Sequence, residues 1–361
     1  MKIYPIELSK LYAAYKDEYR QAFDDVLEKG IFVGGDYVDI FEHEAAKYLG
    51  AKYVVGCGNG THAIELALMA NGIGSGCEVI TVANTYYATA RAIVDIGAEP
   101  VFCDVNKYGL IDVNLVERLI TPRTKAIVPV HLYGAPADLT RLNAICEKYG
   151  LVLVEDCSHA FGSSYNGQKI GSDSICACFS LYPTKNLGAM GDAGMVATNS
   201  KEITDRLKAM RYYTIDPERN TFNATSIHSR IDPLQCGLLR VSLRHIDEWN
   251  QRRVSNAKYL IEIMNNRVPY IESVGWNGIV PYVFPILVNE QIKIEEELRA
   301  KGIIAQVHYR PDLHKIDHLT HKSYHLPMTE KLNRSVLSIP ISPTVSKSEI
   351  DYIAASILQS V

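Results

Sequence analysis

The chain has 361 residues, its 37 Lys and Arg against 41 Asp and Glu give a formal net charge of −4, and 47% of it is hydrophobic and 22% charged. These are the proportions of a soluble globular protein, long enough at roughly 150 residues per domain for about two domains. The near-neutral balance has no basic block, which excludes a nucleic-acid binder working by phosphate neutralisation, and no apolar run approaches the roughly 20 residues of a membrane helix. Residues Met1 to Lys16 interleave Lys2, Glu7, Lys10 and Lys16 with apolar side chains, unlike a secretory signal, so a cytoplasmic protein is expected.

From about Lys52 to Thr198 short β-branched runs alternate with helical stretches, the pattern of an α/β layer fold. Tyr53 to Gly56, Glu78 to Val82 and Pro100 to Val105 read as strands, with helices over Thr61 to Met69 and Tyr87 to Ile96 between them. Lys125 to His131 and Leu151 to Glu155 are continuous apolar runs, suited to strands buried on both faces. Ser174 to Ser180 and Gly194 to Thr198 are joined by a loop alone, which allows an antiparallel member in a mixed, mostly parallel sheet. An amphipathic stretch begins near Asp232 and runs through Arg253. Tyr282 to Val288, Ile303 to His308 and Ser346 to Ser360 mark a small α+β carboxy-terminal domain, placing the domains at 1–245 and 246–361. The eight cysteines lie mostly in apolar runs, as Cys103, Cys176 and Cys178 do, and read as buried thiols.

Three segments carry chemistry. Gly56-Cys57-Gly58-Asn59-Gly60-Thr61 follows a strand and opens a helix, where an anion can sit on free backbone amides at the positive end of the helix dipole. Thr61 stands where a dinucleotide fingerprint needs its third glycine, so the choice is between a monophosphate cradle and a tight turn. Asp156 ends a predicted strand, either as a helix cap for Ser158 onward or as a fixed negative charge under a heterocyclic nitrogen. Lys185 lies in a loop beside Tyr182 and Pro183 rather than beside charges, so its amine is open to desolvation and hence to nucleophilic use. An anion site, a partner for a pyridine nitrogen and a reactive amine are together what pyridoxal 5'-phosphate requires.

With these landmarks in order, the chain resembles the DegT/DnrJ/EryC1/StrS family of sugar aminotransferases over nearly its whole length. The resemblance rests on Asn59-Gly60-Thr61, Asn84 to Thr89, Thr121 to Ala126 through His131 to Gly134, Glu155 to Ala160, Ser180 to Asp192, Ser229 to Asp232 with Gln235, and His308-Tyr309. It implies an aspartate aminotransferase-like fold with pyridoxal 5'-phosphate as cofactor. By position, Lys185 carries the cofactor covalently and Asp156 pairs with its ring nitrogen. Tyr86 stacks on the ring, Gly60 and Thr61 give amides to the phosphate, Ser180 adds its hydroxyl, and His159 lies beside the ring where many relatives have Gln. Tyr182, His308 and Tyr309 are the expected sugar contacts.

Two positions depart from the family pattern. His228 stands where relatives commonly have an Asn that reaches the phosphate of a second subunit, and His62 where close relatives often have Asp. The resemblance further implies a homodimer with shared sites, L-glutamate as donor and a nucleotide-diphosphate keto sugar as acceptor. Gly56 to Thr61, followed by Gly72 to Gly76 and Asn84 to Tyr86, looks more like enzymes acting on dTDP-3-keto-6-deoxyhexoses than on 4-keto sugars, and a C3-aminated product would feed O-antigen, S-layer or other surface glycans, or an antibiotic sugar. The alternatives are a 4-keto sugar aminotransferase and a catalytically silent regulatory protein that binds the cofactor. His314, His318, His321 and His325 would share one face of a continuous helix, but Pro311 precedes them and no His-Glu-x-x-His pattern is present, so no metal is expected.

Overall fold

The computed structural model describes residues 2–213, 215–216, 221–222 and 226–361. A short helix at Leu8–Ala13 and two longer ones, α1 (Lys16–Lys29) and α2 (Asp36–Leu49), precede a seven-stranded sheet. Its strands are β1 (Tyr53–Cys57), β2 (Glu78–Val82), β3 (Glu99–Cys103), β4 (Thr124–Ile127), β5 (Val152–Asp156), β6 (Cys176–Ser180) and β7 (Gly194–Thr198), in the spatial order β1-β7-β6-β5-β4-β2-β3. β2 to β6 run parallel, and β7 is antiparallel to both β6 and β1. The mixed, mostly parallel sheet is therefore as expected, with β2 and β7 at the expected limits. Every residue of β2 and β7 is buried, because helices cover the sheet on both sides.

The covering helices are α3 (Gly60–Ala70), α4 (Tyr87–Asp95), α5 (Leu139–Tyr149) and α6 (Lys201–Met210). α3 to α5 are the crossovers between parallel strands, which bring the carboxyl ends of β1, β5 and β6 to one edge of the sheet beside the amino terminus of α3. Open α/β sheets bind ligands at that edge.

α7 (Pro233–Met264) starts with Pro at its first position, where the missing N–H costs nothing, and stops at Asn265 in the left-handed conformation, φ 44°. Gly237 lets it lie close on α1, since a Cβ there would sit 2.9 Å from Val26 Cγ2. Residue 245, where the sequence placed a domain boundary, lies inside this unbroken helix. The carboxy-terminal region adds α8 (Gln291–Ala300), α9 (Pro327–Ser335), α10 (Lys347–Ser360) and the antiparallel pair β8 (Phe284–Leu287) and β9 (Val336–Ile339). One apolar cluster joins Ile80, Val101 and Leu153 of the large sheet to Phe284, Leu337 and Ile353. Ile303 to His308 forms no strand. It is held by single bridges, Ile303 to Ile3 and Gln306 to Ser338. Among the described residues no helix is long and apolar enough to cross a membrane.

Candidate active site

The glycine segment after β1 becomes a tight turn into α3 because Asn59 caps the helix, its side chain accepting the His62 N–H at 2.9 Å. The turn presses on the end of β6. A Cβ on Gly60 would lie 2.6 Å from Ser180 Cβ, and one on Gly194 would lie 2.3 Å from the Asn59 carbonyl oxygen. By position the first amides of α3, at Gly60 and Thr61, have no carbonyl one turn earlier to bond. Gly60, Thr61 and Ser180 all line one cavity of about 710 Å³. His62 turns away from it, its Nδ1 bonded to Ser229 Oγ at 2.8 Å, and that hydroxyl also accepts the Gly58 N–H at 3.0 Å.

Asp156 enters the same cavity from the end of β5 and is 4% exposed. Its Oδ2 accepts from the Thr89 hydroxyl at 2.8 Å and its Oδ1 from the Ser158 N–H at 3.1 Å. The residues after it form a turn rather than a helix, so this is an Asx-type turn and not a helix cap. Lys185 comes from the loop between β6 and β7, which is closed by the Lys185 N–H on the Tyr182 carbonyl at 2.8 Å and by Ala189 N–H on Leu181 O at 2.8 Å. Only glycine fits at 188, where a Cβ would be 2.3 Å from the Pro183 carbonyl oxygen. The Lys185 ammonium is half-buried, lies 4.9 Å from the centre of the Tyr282 ring and, among the described residues, has no ion-pair partner.

The carboxy-terminal region supplies the opposite wall. The His159 ring stacks on Tyr282 with centroids 4.2 Å apart, and its Nε2 is hydrogen-bonded to the Tyr309 hydroxyl at 2.7 Å. His308 Nδ1 bonds Ser338 Oγ at 2.8 Å. Burial, with the Lys185 charge adding to it, holds the His159 imidazole well below the usual histidine range and pushes His308 down to about 3. Both rings are therefore neutral at physiological pH. The unfolded chain protonates His308 near 6.5, whereas the folded chain resists until about 3. The stability this contributes is complete above 6.5 and is lost as pH falls through that window, at about 1.4 kcal/mol per pH unit. Urea unfolding at pH 7 and pH 5 should show a smaller acid loss in His308→Gln than in the parent chain.

Tyr86 and Tyr182 stand at the mouth, 61% and 51% exposed. His228 lies outside this cavity, exposed, bonded to Arg230 at 2.7 Å and stacked near Tyr213. Thr89, Thr184, Tyr282 and Arg253 join the site without having been singled out from the sequence. Arg253 did carry a signal, because it falls on the same helical face as Ile246, Trp249, Ala257 and Leu260, an apolar stripe interrupted by one cation.

The clustered histidines do not share a helical face. Around a single short turn at Leu313–Lys315 the chain is irregular, and His318 bonds the Tyr87 hydroxyl at 2.8 Å. Among the described residues two groupings have ligand-like spacing, His131 with Glu155 and Cys157, and His314 with Asp312 and Glu330. In the first, His131 Nδ1 accepts the Ala137 N–H, so Nε2 carries the proton and donates to Glu155 at 2.9 Å. In the second, the Lys315 ammonium already bridges Asp312 at 2.8 Å and Glu330 at 3.0 Å. The first is satisfied without an ion; in the second, His314 Nε2 is hydrogen-bonded to Glu330 at 3.3 Å and its buried Nδ1 has no partner among the described residues.

Residues 14–358 match the pattern of the DegT/DnrJ/EryC1/StrS aminotransferase family. The chain belongs to that family. It is 38% identical to a dTDP-3-amino-3,6-dideoxy-alpha-D-galactopyranose transaminase of Aneurinibacillus thermoaerophilus and 36% identical to a pleiotropic regulatory protein of Geobacillus stearothermophilus, covering 98% or more of each chain in both pairs. Other relatives are named for UDP- and GDP-linked sugars. Among solved structures it superposes on S. venezuelae DesV, in complex with a ketimine intermediate, with a TM-score of 0.94 at 33% identity, over 99% of this chain and 98% of that one.

A DegT/DnrJ/EryC1/StrS aminotransferase works with pyridoxal 5'-phosphate, and the residues present fit that group. An unpaired ammonium, a buried carboxylate and a helix start pressed so close to Ser180 that no Cβ fits converge on one cavity. Gly60→Ala tests the cradle. The added methyl meets Ser180, so a loss of about 1–3 kcal/mol of stability is expected together with weaker cofactor retention, measured by melting and by cofactor content after dialysis.

Proposed function

We propose that this aminotransferase moves an amino group from L-glutamate to C3 of a dTDP-linked 3-keto-6-deoxyhexose. The carrying observation is the convergence of Lys185, Asp156 and the amino terminus of α3 on one cavity. The choice of sugar is supported by the 38% identical relative named for such a product and by the Gly72 to Gly76 and Asn84 to Tyr86 segments.

When bound, pyridoxal phosphate supplies an aldehyde that takes up the amino group and a ring that accepts the electron pair released from the amino carbon. Lys185 would hold the cofactor through its amine and, once freed by the donor, would serve as the group that carries the proton. Asp156 pairs with the ring nitrogen and favours its protonated, electron-accepting form. The Gly60 and Thr61 amides with the Ser180 hydroxyl would hold the phosphate, and Tyr86 and His159 would contact the ring. Tyr182, His308 and Tyr309 contact the sugar or its phosphates. Two half-reactions in one site give ping-pong kinetics.

The shared-site homodimer is supported by Phe23, Leu27, Ile31, Phe32, Val33 and Ile40, large apolar side chains of α1, α2 and the turn between them, which the single chain leaves 38–58% exposed. His228, absent from its own chain's cavity, then reaches the phosphate of the second copy. His228→Ala should weaken cofactor retention, read by equilibrium dialysis; unchanged affinity removes the residue from the site.

The deciding experiment mixes cofactor-loaded protein with glutamate and follows the change from the lysine-bound absorption to that of the amine form. It then supplies dTDP-3-keto sugars and dTDP- or UDP-linked 4-keto sugars and identifies the aminated carbon. Amination confined to C4 replaces the C3 assignment. No spectral change with any amino donor supports the silent regulatory protein instead.

A further inference from the structure

Arg253 has one partner fewer than its position demands. It lies on the buried face of α7, is 2% exposed and contributes to the lining of the catalytic cavity. Its Nη1 donates to the Tyr282 carbonyl at 3.2 Å, while its Nε is buried with no acceptor. Among the described residues no carboxylate forms an ion pair with it. An unpaired guanidinium in a dry interior is costly, and burial alone pushes Arg253 down to about 10. Ile246, Trp249, Ala257 and Leu260 fill the same stripe with apolar side chains, so packing does not call for a cation at 253.

The charge balance of the cavity shows what the cation is for. Its other cationic side chain among the described lining residues is Lys185, whose amine would be used in holding the cofactor. His159 and His308 are kept neutral by burial. The donor enters with one net negative charge and leaves as a dianionic keto acid, so a fixed positive charge is needed inside. Among the described lining residues of the single chain Arg253 is the group that remains, and a guanidinium fork matches a carboxylate bidentately. The diphosphate of the acceptor is also anionic, but it is tied to a bulky nucleoside that must stay toward the open mouth between Tyr86 and Tyr182, whereas Arg253 is at depth.

We propose that Arg253 is the carboxylate anchor for the amino donor, the residue that selects a 2-amino dicarboxylate for the first half-reaction. This rests on the aminotransferase reading given above. Bound donor supplies the acceptor that Nε lacks, and the bond from Nη1 to Tyr282 O holds the guanidinium in place beside the ring that lies under Lys185.

The test uses the cofactor-loaded enzyme and the variants Arg253→Gln and Arg253→Lys. Glutarate, which has the two carboxylates but no amino group, is titrated calorimetrically, and each half-reaction is followed separately. Loss of the buried partner of a charged group corresponds to about 30-fold or more in affinity. Arg253→Gln should therefore raise the dissociation constant of glutarate and the half-saturating concentrations of glutamate and 2-oxoglutarate by about that factor. Half-saturation by the keto sugar should stay within about twofold. Arg253→Lys, which keeps the charge without the fork, should fall between the two and guards against a glutamine variant that does not fold, as judged by melting and cofactor content. Unchanged glutarate binding in a folded variant, or an equal loss for glutamate and keto sugar, overturns the proposal and leaves Arg253 as a tie between α7 and Tyr282. A parent enzyme that reacts with no amino donor at all would instead defeat the aminotransferase reading, a result visible before any variant is made.

Discussion

Lys185→Ala is expected to abolish turnover, by ~10⁴-fold or more, because one side chain serves as both the covalent tether and the proton carrier. The fold should survive. The ammonium is half-buried, and what it gives the folded state is proximity to the Tyr282 ring at 4.9 Å rather than an ion pair. A stability change of no more than about 1 kcal/mol follows. The loop is shaped by backbone bonds and by Gly188 against Pro183, none of which involves the amine. The two effects separate cleanly when turnover is measured beside thermal melting and beside mass spectrometry after borohydride treatment. The parent chain should gain the mass of a reduced cofactor adduct at position 185, and the variant none. Normal turnover in the variant would sink the assignment of Lys185, and an adduct on another lysine would move it.

Much of this site is legible in the sequence because its parts are local. A strand buried on both faces is a short apolar run, and its chemistry sits at the end of the run. Thus Asp156 follows Leu151 to Glu155, and the glycine turn follows Tyr53 to Val55. The boundaries of β2 and β7 could be read for the same reason. What could not be read depends on contacts between distant segments. Residues 303–308 have strand-like composition but find only single bridges, from Ile303 to Ile3 and from Gln306 to Ser338 on the edge of β9 that β8 leaves open. The extent of α7 past residue 253 depends on the left-handed stop at Asn265. The histidines between 314 and 325 have helical spacing, yet the chain there is pinned to the large sheet instead, with the Lys322 ammonium on Glu78 at 3.0 Å and the Tyr324 hydroxyl on the Pro100 carbonyl at 3.3 Å. Tyr282 reaches the cavity from more than 90 residues beyond Lys185, and it is placed there by its stacking on His159 and by the Lys185 ammonium over its ring.

Asp156→Asn is expected to lower turnover by about 10²–10³, the scale for removing one preorganised electrostatic contact from a catalytic site. The substitution is informative because the structure tolerates the amide. Asp156 Oδ1 accepts the Ser158 N–H, a role the Asn carbonyl oxygen can fill. The amide nitrogen then faces Thr89, whose hydroxyl can stop donating to position 156, accept from it, and donate to Thr85 Oγ1, 2.9 Å away. The Thr85 hydroxyl then gives up its bond to Thr89 and has to turn into the cavity it lines, so a stability loss of about 1 kcal/mol is expected while the fixed negative charge is gone. Asp156→Ala behaves differently, since it removes the acceptor of both the Ser158 N–H and the Thr89 hydroxyl, and a loss of about 1–3 kcal/mol is expected beside the loss of rate. Comparing the two variants by melting and by single half-reaction rates separates charge from architecture. If Asp156→Asn turns over at the parent rate, the ring nitrogen does not depend on a carboxylate at this position, and the electron-accepting role assigned to Asp156 is lost even though the fold and the Lys185 chemistry stand.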